Sequence, residues 1–441
     1  WNNLQNNNSN IAGSDFYNLS NHRSIFNNIF QLPENLYVKE EHNFLGHSAL
    51  NNKFINPNFI NIDDVIGIDG ILRTSDDGLI PNNGSPAVEA GEIQFVVDQN
   101  HLEKDFANLD RVMGYTVDIG AYEKGVNVCT GATSLYVDST AVRGANGDSW
   151  LNATPSLSHA LYIAHTCPEV NEIYVAKGSY KSERPPYNMR SDRTGVQLSS
   201  FLNQDFTFHI RAGLEVLGGY PSGGGPVSLN NQTNLIGINP FTGEKTFHTV
   251  LIDYNKFWGD VNDVTRLHNI NVKSGESLIG DFDNTLNVNN SPLYRSKGGG
   301  IYIHNAKAAL YSDSIINNKA TMGGGVYAEN AILEIDNSII SSNIAEVSGG
   351  GILATNSNIQ LTNSSIVENI SFDEAPGVSL EITTSNISNT TIEDNISTFN
   401  SIESNIKAVL CDLYLLGFNV FEGFSITNGV IRIFNNSNIV K

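Results

Sequence analysis

Gly298-Gly299-Gly300-Ile301-Tyr302-Ile303 returns as Gly323-Gly324-Gly325-Val326-Tyr327-Ala328 and again as Gly349-Gly350-Gly351-Ile352-Leu353-Ala354, in steps of 25 and 26 residues. A degenerate copy, Gly377-Val378-Ser379-Leu380, follows at the same step with Ala375-Pro376 ahead of it. In the same phase stand Leu333-Glu334-Ile335-Asp336, Ile359-Gln360-Leu361-Thr362 and Ser385-Asn386-Ile387-Ser388, whose mainly apolar/polar alternation is the period of a strand with one dry and one wet face. A third element carries Ile340, Ile366 and Ile392 between two recurring asparagines, Asn337, Asn363 and Asn389 before them and Asn343, Asn369 and Asn395 after them.

Three short strands and three turns cannot bury their own apolar face, so the unit must stack on copies of itself. Stacking at about 4.8 Å predicts an inward ladder of Ile340, Ile366 and Ile392 and another of Ile335, Leu361 and Ile387. The asparagines are expected at turns, as amide ladders and as residues that tolerate a left-handed backbone. The glycines are expected where φ is positive or coils approach too closely for a Cβ. The fold read from this is all-β, a right-handed parallel β-helix. A leucine-rich repeat of similar period needs Leu-x-x-Leu-x-Leu and usually a helix, and the unit has neither.

Residues 133–225 read as the entry to this solenoid, ahead of the clear coils at 298–400. Leu135-Tyr136-Val137-Asp138 and Ile173-Tyr174-Val175-Ala176 are strands. Between them Leu157, Ala160, Leu161 and Ala164 fall at helical spacing after the N-cap candidate Ser156 and before Pro168. A helix here would cover the open end of the first coil. Tyr136-Val137-Asp138, Gly144-Ala145-Asn146-Gly147-Asp148-Ser149-Trp150, Ala160-Leu161, Ile173 to Tyr180 and Leu217-Gly218-Gly219-Tyr220 resemble the start of the pectate-lyase-like β-helix domains of Bacteroidota surface proteins. Residues 54–123 are similar to the choice-of-anchor Q segment that closes such helices. The likeness rests on Phe54 to Phe59, Gly84-Ser85-Pro86-Ala87, Ala90-Gly91, Asp110-Arg111 and Asp118-Ile119-Gly120-Ala121-Tyr122-Glu123. It departs from that pattern at Val88-Glu89. These resemblances imply that residues 1–123 are the last coils and closing segment of a first β-helix, 124–132 a linker and 133–441 a second β-helix. They also imply a piece of a longer polypeptide, and a secreted or cell-surface protein carried to the outer-membrane exterior by type IX secretion.

Charged residues are only 16% of the chain and the formal net charge is −21, which disfavours nucleic acid or an anionic membrane as partner. No apolar run reaches the roughly 18 residues of a membrane span. Cys129, Cys167 and Cys411 are too few for a disulfide framework. A Cys129–Cys167 bridge and unpaired buried thiols both remain open.

Asp63, Asp64, Asp69, Asp76 and Asp77 are the candidate ligands for a structural calcium ion, the one cofactor expected, because calcium takes six to eight oxygens from a turn-rich loop. Asp281-Phe282-Asp283 is a weaker acidic site. No catalytic residue is assigned. Lys319 and the run Arg295 to Lys297 are the basic options but show no acidic cluster in phase. Glu368 and Asp394 come near one column, and His304 reads as a hydrogen-bonded turn residue. Two insertions, Lys181 to Asp205 and Ile236 to Asp263, hold Tyr187, Phe201, Phe241, Tyr254, Phe257 and Trp258. Of these, Tyr187, Phe241, Tyr254 and Trp258 are candidates for contact with an extracellular glycan or protein, with covering the coil as the alternative. The expectation is a non-enzymatic adhesin or display stalk; a polysaccharide lyase or glycoside hydrolase on the same fold is the alternative.

Overall fold

The computed structural model describes residues 58–82, 85, 87–88, 105–107, 117–124, 131–141, 147–187, 202–253, 263–277, 280, 284–289, 291–398, 405–416 and 419–440 except 423, 429 and 435–437. It also describes two-residue strands at 3–4, 25–26, 29–30 and 49–50. The chain forms two compact units, Trp1–Val128 and Cys129–Lys441.

In the second unit one coil runs through Ile301–His304 in sheet A, Lys307–Tyr311 in sheet B, Ser314–Ile316 in sheet C and Lys319–Met322 in sheet D. After the glycine corner it re-enters sheet A at Val326–Glu329. Among the described residues, sheets A, B and C contain eight, ten and nine strands, each paired in parallel with its equivalents one coil away. This is a parallel β-helix. Sheet D corrects the three-strand unit read from the sequence. Its four strands, from Lys319–Met322 to Ile396–Ser397, are short, and a register irregularity follows Ala320, so no period-two signal marks them.

The inward ladders form in the expected register. Ile340 pairs with Ile366 and Ile366 with Ile392, while Ile335, Leu361 and Ile387 align one rung apart in sheet B. The sheet B column continues back through Leu310, Leu267, Val216 and Ile173 to Leu135, all at most 2% exposed. Each such side chain contributes about 1.5–3 kcal/mol by leaving water.

The corners divide the two asparagine roles between two positions. Asn337, Asn363 and Asn389 take φ of 49°, 52° and 50° and face solvent, where Asn accepts the left-handed region at low cost. The next residue turns inward. Ser364 Oγ accepts the Ser338 N–H (3.2 Å) and donates to Thr362 O (2.7 Å). At the following corner Asn318, Asn343, Asn369 and Asn395 form the amide ladder, each Nδ2 donating to the next Oδ1 at 2.9–3.0 Å. Each Oδ1 also accepts the backbone N–H of the coil before. Gly324 shows why the glycine corner excludes side chains: a Cβ there would lie 2.4 Å from Ile344 O and 2.7 Å from Gly350 O.

From Val250–Asp253 to Ile352–Thr355 sheet A is buried on both faces. Inside lie Ile301 and Ile303. Outside, Leu251, Tyr302, Tyr327 and Leu353 form a second core with Leu286, Val288 and Leu293 of an antiparallel hairpin, Thr285–Val288 and Ser291–Tyr294. Arg295 locks that hairpin through two hydrogen bonds to Asp205 (2.7 and 2.6 Å), both side chains at most 3% exposed.

Helix α1 (Leu157–Thr166) caps the first rungs as expected. Ser156 accepts the His159 N–H, and Leu157, Ala160, Leu161 and Ala164 are buried. Arg211 donates to Ala164 O (2.6 Å) and Val170 O, placing a cation at the negative end of the helix. Cys167 is disulfide-bonded and Cys411 is a free buried thiol; Cys129 lies outside the described residues.

In the first unit, Asn3–Leu4 pairs in parallel with Ile29–Phe30, and Ile25–Phe26 with Ala49–Leu50. The segment Asp118 to Glu123 ties itself: Glu123 accepts the Asp118 N–H and Asp118 accepts the Lys124 N–H (2.6 Å). Ile119 and Tyr122 are buried. Among the described residues no helix is long and apolar enough to cross a membrane.

Candidate functional site

The five aspartates of the acidic loop do not converge. Asp77 is fully buried and accepts from Arg73 N (2.7 Å), Thr74 N (3.2 Å) and Tyr122 Oη (2.5 Å). Asp76 accepts from Thr74 Oγ1 (2.8 Å) and Asp69 N (3.1 Å); these bonds hold its carboxyl below the usual range. Asp63, Asp64 and Asp69 face solvent. No three Asp, Glu, His or Cys side chains group for a metal among the described residues. Asp69, Asp76 and Asp77 spend carboxylate oxygens on closing their own turns, whereas Asp63 and Asp64 stand exposed beside them. Asp281 and Asp283 lie outside the described residues.

Of the aromatic loop candidates, Tyr187 covers the coil. Its ring stacks on His165 at 4.7 Å and its N–H donates to His209 Nδ1 (3.0 Å). Burial drives both imidazoles to low pKa, about 3 for His165. Phe241 is 42% exposed, its ring edge-on to Phe206. Phe201, Tyr254, Phe257 and Trp258 lie outside the described residues.

Two clusters emerge instead, both on outward faces of the β-helix. The first lies on sheet A beside the hairpin. Asp253, His304, Glu329, Thr355 and Glu381 occupy successive rungs of one column. His304 corrects the turn assignment: it is the last strand residue, 7% exposed, with Nδ1 3.1 Å from Asp253 Oδ1. Asn289 Nδ2 holds the other Asp253 oxygen at 3.0 Å. Glu329 accepts from Tyr302 Oη (3.1 Å). Lys297 donates to Tyr327 Oη (2.9 Å) and lies over the rings of Tyr294 and Tyr327, at 3.9 and 4.8 Å. Burial lowers its pKa, while Glu329 and Glu381 pull the other way. Burial also raises both phenols, Tyr302 and Tyr327.

Lys297 therefore has the acidic neighbours the sequence did not show. Glu329 and Glu381 stand two rungs apart, about 10 Å along the column. The other basic options are occupied: Arg295 is the buried clamp on Asp205, and Lys319 lies 4.0 Å from Glu276. Glu368 and Asp394 share a left-handed corner column with Asn317 and Ser342, exposed to solvent.

The second cluster lies on sheet B at its first rungs. Tyr136 and Tyr174 stack at 5.2 Å, with Trp150 5.2 Å from Tyr136 and Tyr220 5.5 Å from Tyr174. Trp150 and Tyr220 close the group at 5.3 Å, and all four rings are half-buried. Period-two alternation aims Tyr136 and Tyr174 outward, and a register shift at Gly218-Gly219, where Gly219 has φ +85°, brings Tyr220 to the same patch. Gly224 lets the backbone pass under the indole, because a Cβ there would meet Trp150 Cδ1 at 2.5 Å. That loop is held by Asp138, whose Oδ2 accepts from Ser222 Oγ (2.6 Å) and Gly223 N (2.8 Å). Burial pushes the Asp138 carboxyl up, but hydrogen bonds from Ser222, Thr140 and Gly223 hold it below the usual range. Glu172 accepts from Tyr174 Oη (2.6 Å) and Ser134 Oγ (3.0 Å), and the first of these bonds pushes the Tyr174 phenol up to about 12.

No family model, curated protein or solved structure matches this chain.

Proposed function

We propose that this chain is part of a secreted or cell-surface β-helix module, an adhesin or display stalk, that meets an extracellular glycan or protein surface. The reading includes export by type IX secretion to the outer-membrane exterior and attachment to further domains of a longer polypeptide. One observation carries it: in the clear coils of sheet B the outward positions are polar and regular, with Glu334 and Asp336 on one rung and neutral amides and hydroxyls on the next two. Gln360 and Asn386 share one column, Thr362 and Ser388 the other. The ten described strands of this sheet make a face roughly 40 Å long. Such a face is wet and regular, with scattered charges such as Arg266, Glu334 and Asp336 among neutral polar groups, which suits contact with an extended polymer or another surface. Antibody labelling of intact against permeabilised source cells tests the location. Signal on intact cells supports the reading, and signal only after permeabilisation refutes it.

The Lys297 cluster favours a second reading, a polysaccharide lyase or glycoside hydrolase. A desolvated amine is a better proton acceptor near neutral pH than an exposed one. Carboxylates about 10 Å apart approach the roughly 6.5–9.5 Å of inverting hydrolases. Polygalacturonate and neutral glucans would be followed for unsaturated products and new reducing ends. Turnover that Lys297→Met abolishes without a change in Tm supports the enzyme; absence of turnover on both substrates removes it.

A further inference from the structure

The four rings on sheet B expose aromatic surface that the fold could have covered, as it covers Tyr302 and Tyr327 under a hairpin. Tyr136 and Tyr174 stand on outward positions of the first rungs, with Tyr220 and the loop residue Trp150 beside them, in the face that further along carries Glu334, Asp336, Gln360, Thr362, Asn386 and Ser388. Carboxylates lead the charges beside them, with Lys177 at the Tyr220 corner and Arg266 one rung past Glu215: Glu172 bonds Tyr174, and Glu172 and Glu215 both add to the upward push on Tyr220, which burial leads. In the Tyr136–Tyr174 column, two rungs or about 10 Å beyond Tyr174, His268 stacks on Tyr311 at 4.9 Å and pairs with Glu215 at 2.8 Å. The molecule thus has two ring patches in line along the β-helix axis with acceptors between them.

We infer that this line is a binding platform for a neutral glycan chain running along sheet B, with Tyr136, Trp150, Tyr174 and Tyr220 stacking on the first sugar rings. The inference rests on the surface-module reading and names its ligand class. Pyranose rings present a C–H face that packs on π-systems and a rim of hydroxyls that carboxylates accept. Aromatic side chains with a polar edge suit a surface that is half dry and half wet. Glu172, Glu215 and the net charge of −21 outweigh Arg266 and oppose a uronate or sulfated chain. His268 and Tyr311 take a sugar further along the same chain.

The test uses the full chain with Trp1→Phe and Trp258→Phe, leaving Trp150 as the one indole. Cellohexaose, mannohexaose, xylohexaose and hexagalacturonate are titrated while Trp150 emission is read. The expected result is a saturable shift with at least one neutral hexasaccharide and none with hexagalacturonate. Tyr174→Leu should weaken binding at least tenfold with unchanged Tm, and Tyr174→Phe should restore most of it. Silence with all three neutral sugars up to roughly 10 mM overturns the inference, as does equal binding of hexagalacturonate. Lys297→Met is carried in parallel, and an unchanged Trp150 response keeps the platform distinct from the Lys297 cluster. Surface labelling of intact cells together with a silent Trp150 would overturn the platform while leaving the module reading standing.

Discussion

Replacing Asn369 by Ala removes one rung of the buried amide ladder. Asn369 Oδ1 accepts the Asn343 N–H and Nδ2 (both 3.0 Å), and its own Nδ2 donates to Ile340 O (2.9 Å), Val367 O (3.1 Å) and Asn395 Oδ1 (2.9 Å). Asn343 Nδ2 keeps Ile315 O at 2.8 Å, so the Asn343 backbone N–H is left without an acceptor and two carbonyls lose a donor. At about 1–3 kcal/mol for each of these three buried groups, the change costs about 3 kcal/mol or more. The control is Asn363→Ala at the exposed corner, where φ is 52° and the loss is the left-handed preference, about 1–2 kcal/mol. Because a solenoid opens locally, hydrogen exchange at the Asn343 amide reads the difference directly. Exchange should accelerate by roughly 100-fold or more for Asn369→Ala, since 1.4 kcal/mol is tenfold. Asn369→Asp adds a pH signature. Its second oxygen would face three acceptors, so its folded pKa rises above the unfolded value. Stability is then regained as pH falls through the folded pKa and lost as pH rises. A cost for Asn369→Ala within 1 kcal/mol of the Asn363→Ala control, or a flat pH response for Asn369→Asp, refutes the load assigned to the ladder.

Three further outcomes follow from the same structure. Burial lowers His165 to about 3 and His248 to about 4, so both are neutral when folded, whereas the unfolded chain protonates them near pH 6.5. The stability they support is full above that pH and falls as pH drops. A melting series from pH 7 to 4 should show that slope, reduced in His165→Gln and His248→Gln. Ile382 occupies a left-handed corner (φ 52°) in the column of Asn330 and Asn356. Ile382→Asn should stabilise by about 1 kcal/mol, seen as a raised Tm; a fall in Tm contradicts the strain argument. Chelation with excess EDTA should leave Tm unchanged, because Asp69, Asp76 and Asp77 already spend carboxylate oxygens on their own turns; a drop in Tm would show a bound cation.

The coil could be read from residues because its constraints recur every 25 or 26 positions. Ile340, Ile366 and Ile392 repeat a burial requirement, and Asn343, Asn369 and Asn395 repeat a hydrogen-bond requirement. The short strands of sheet D repeat neither strictly. The clusters were harder to see for the opposite reason: function that occurs once leaves no period. Glu329 and Glu381 face Lys297 only because three different coils are brought together around the hairpin. Tyr136, Trp150, Tyr174 and Tyr220 were visible as a string of motifs, but a motif does not say which face a ring occupies. Alternation alone would have placed Tyr136 and Tyr174 outward. Tyr220 needed the register shift at Gly218-Gly219, which no periodicity announces.

The central claim is that coils stack in register to present sheet B as one continuous outer face. Pulsed electron resonance between spin labels on outward positions of that sheet tests it most directly. Arg266 lies four rungs from Asn386 and six from Arg432 through successive pairings. The account predicts backbone separations of about 19 and 29 Å, rising in proportion to rung number. Distances that fail to grow between the two pairs, or that scatter broadly, would contradict it.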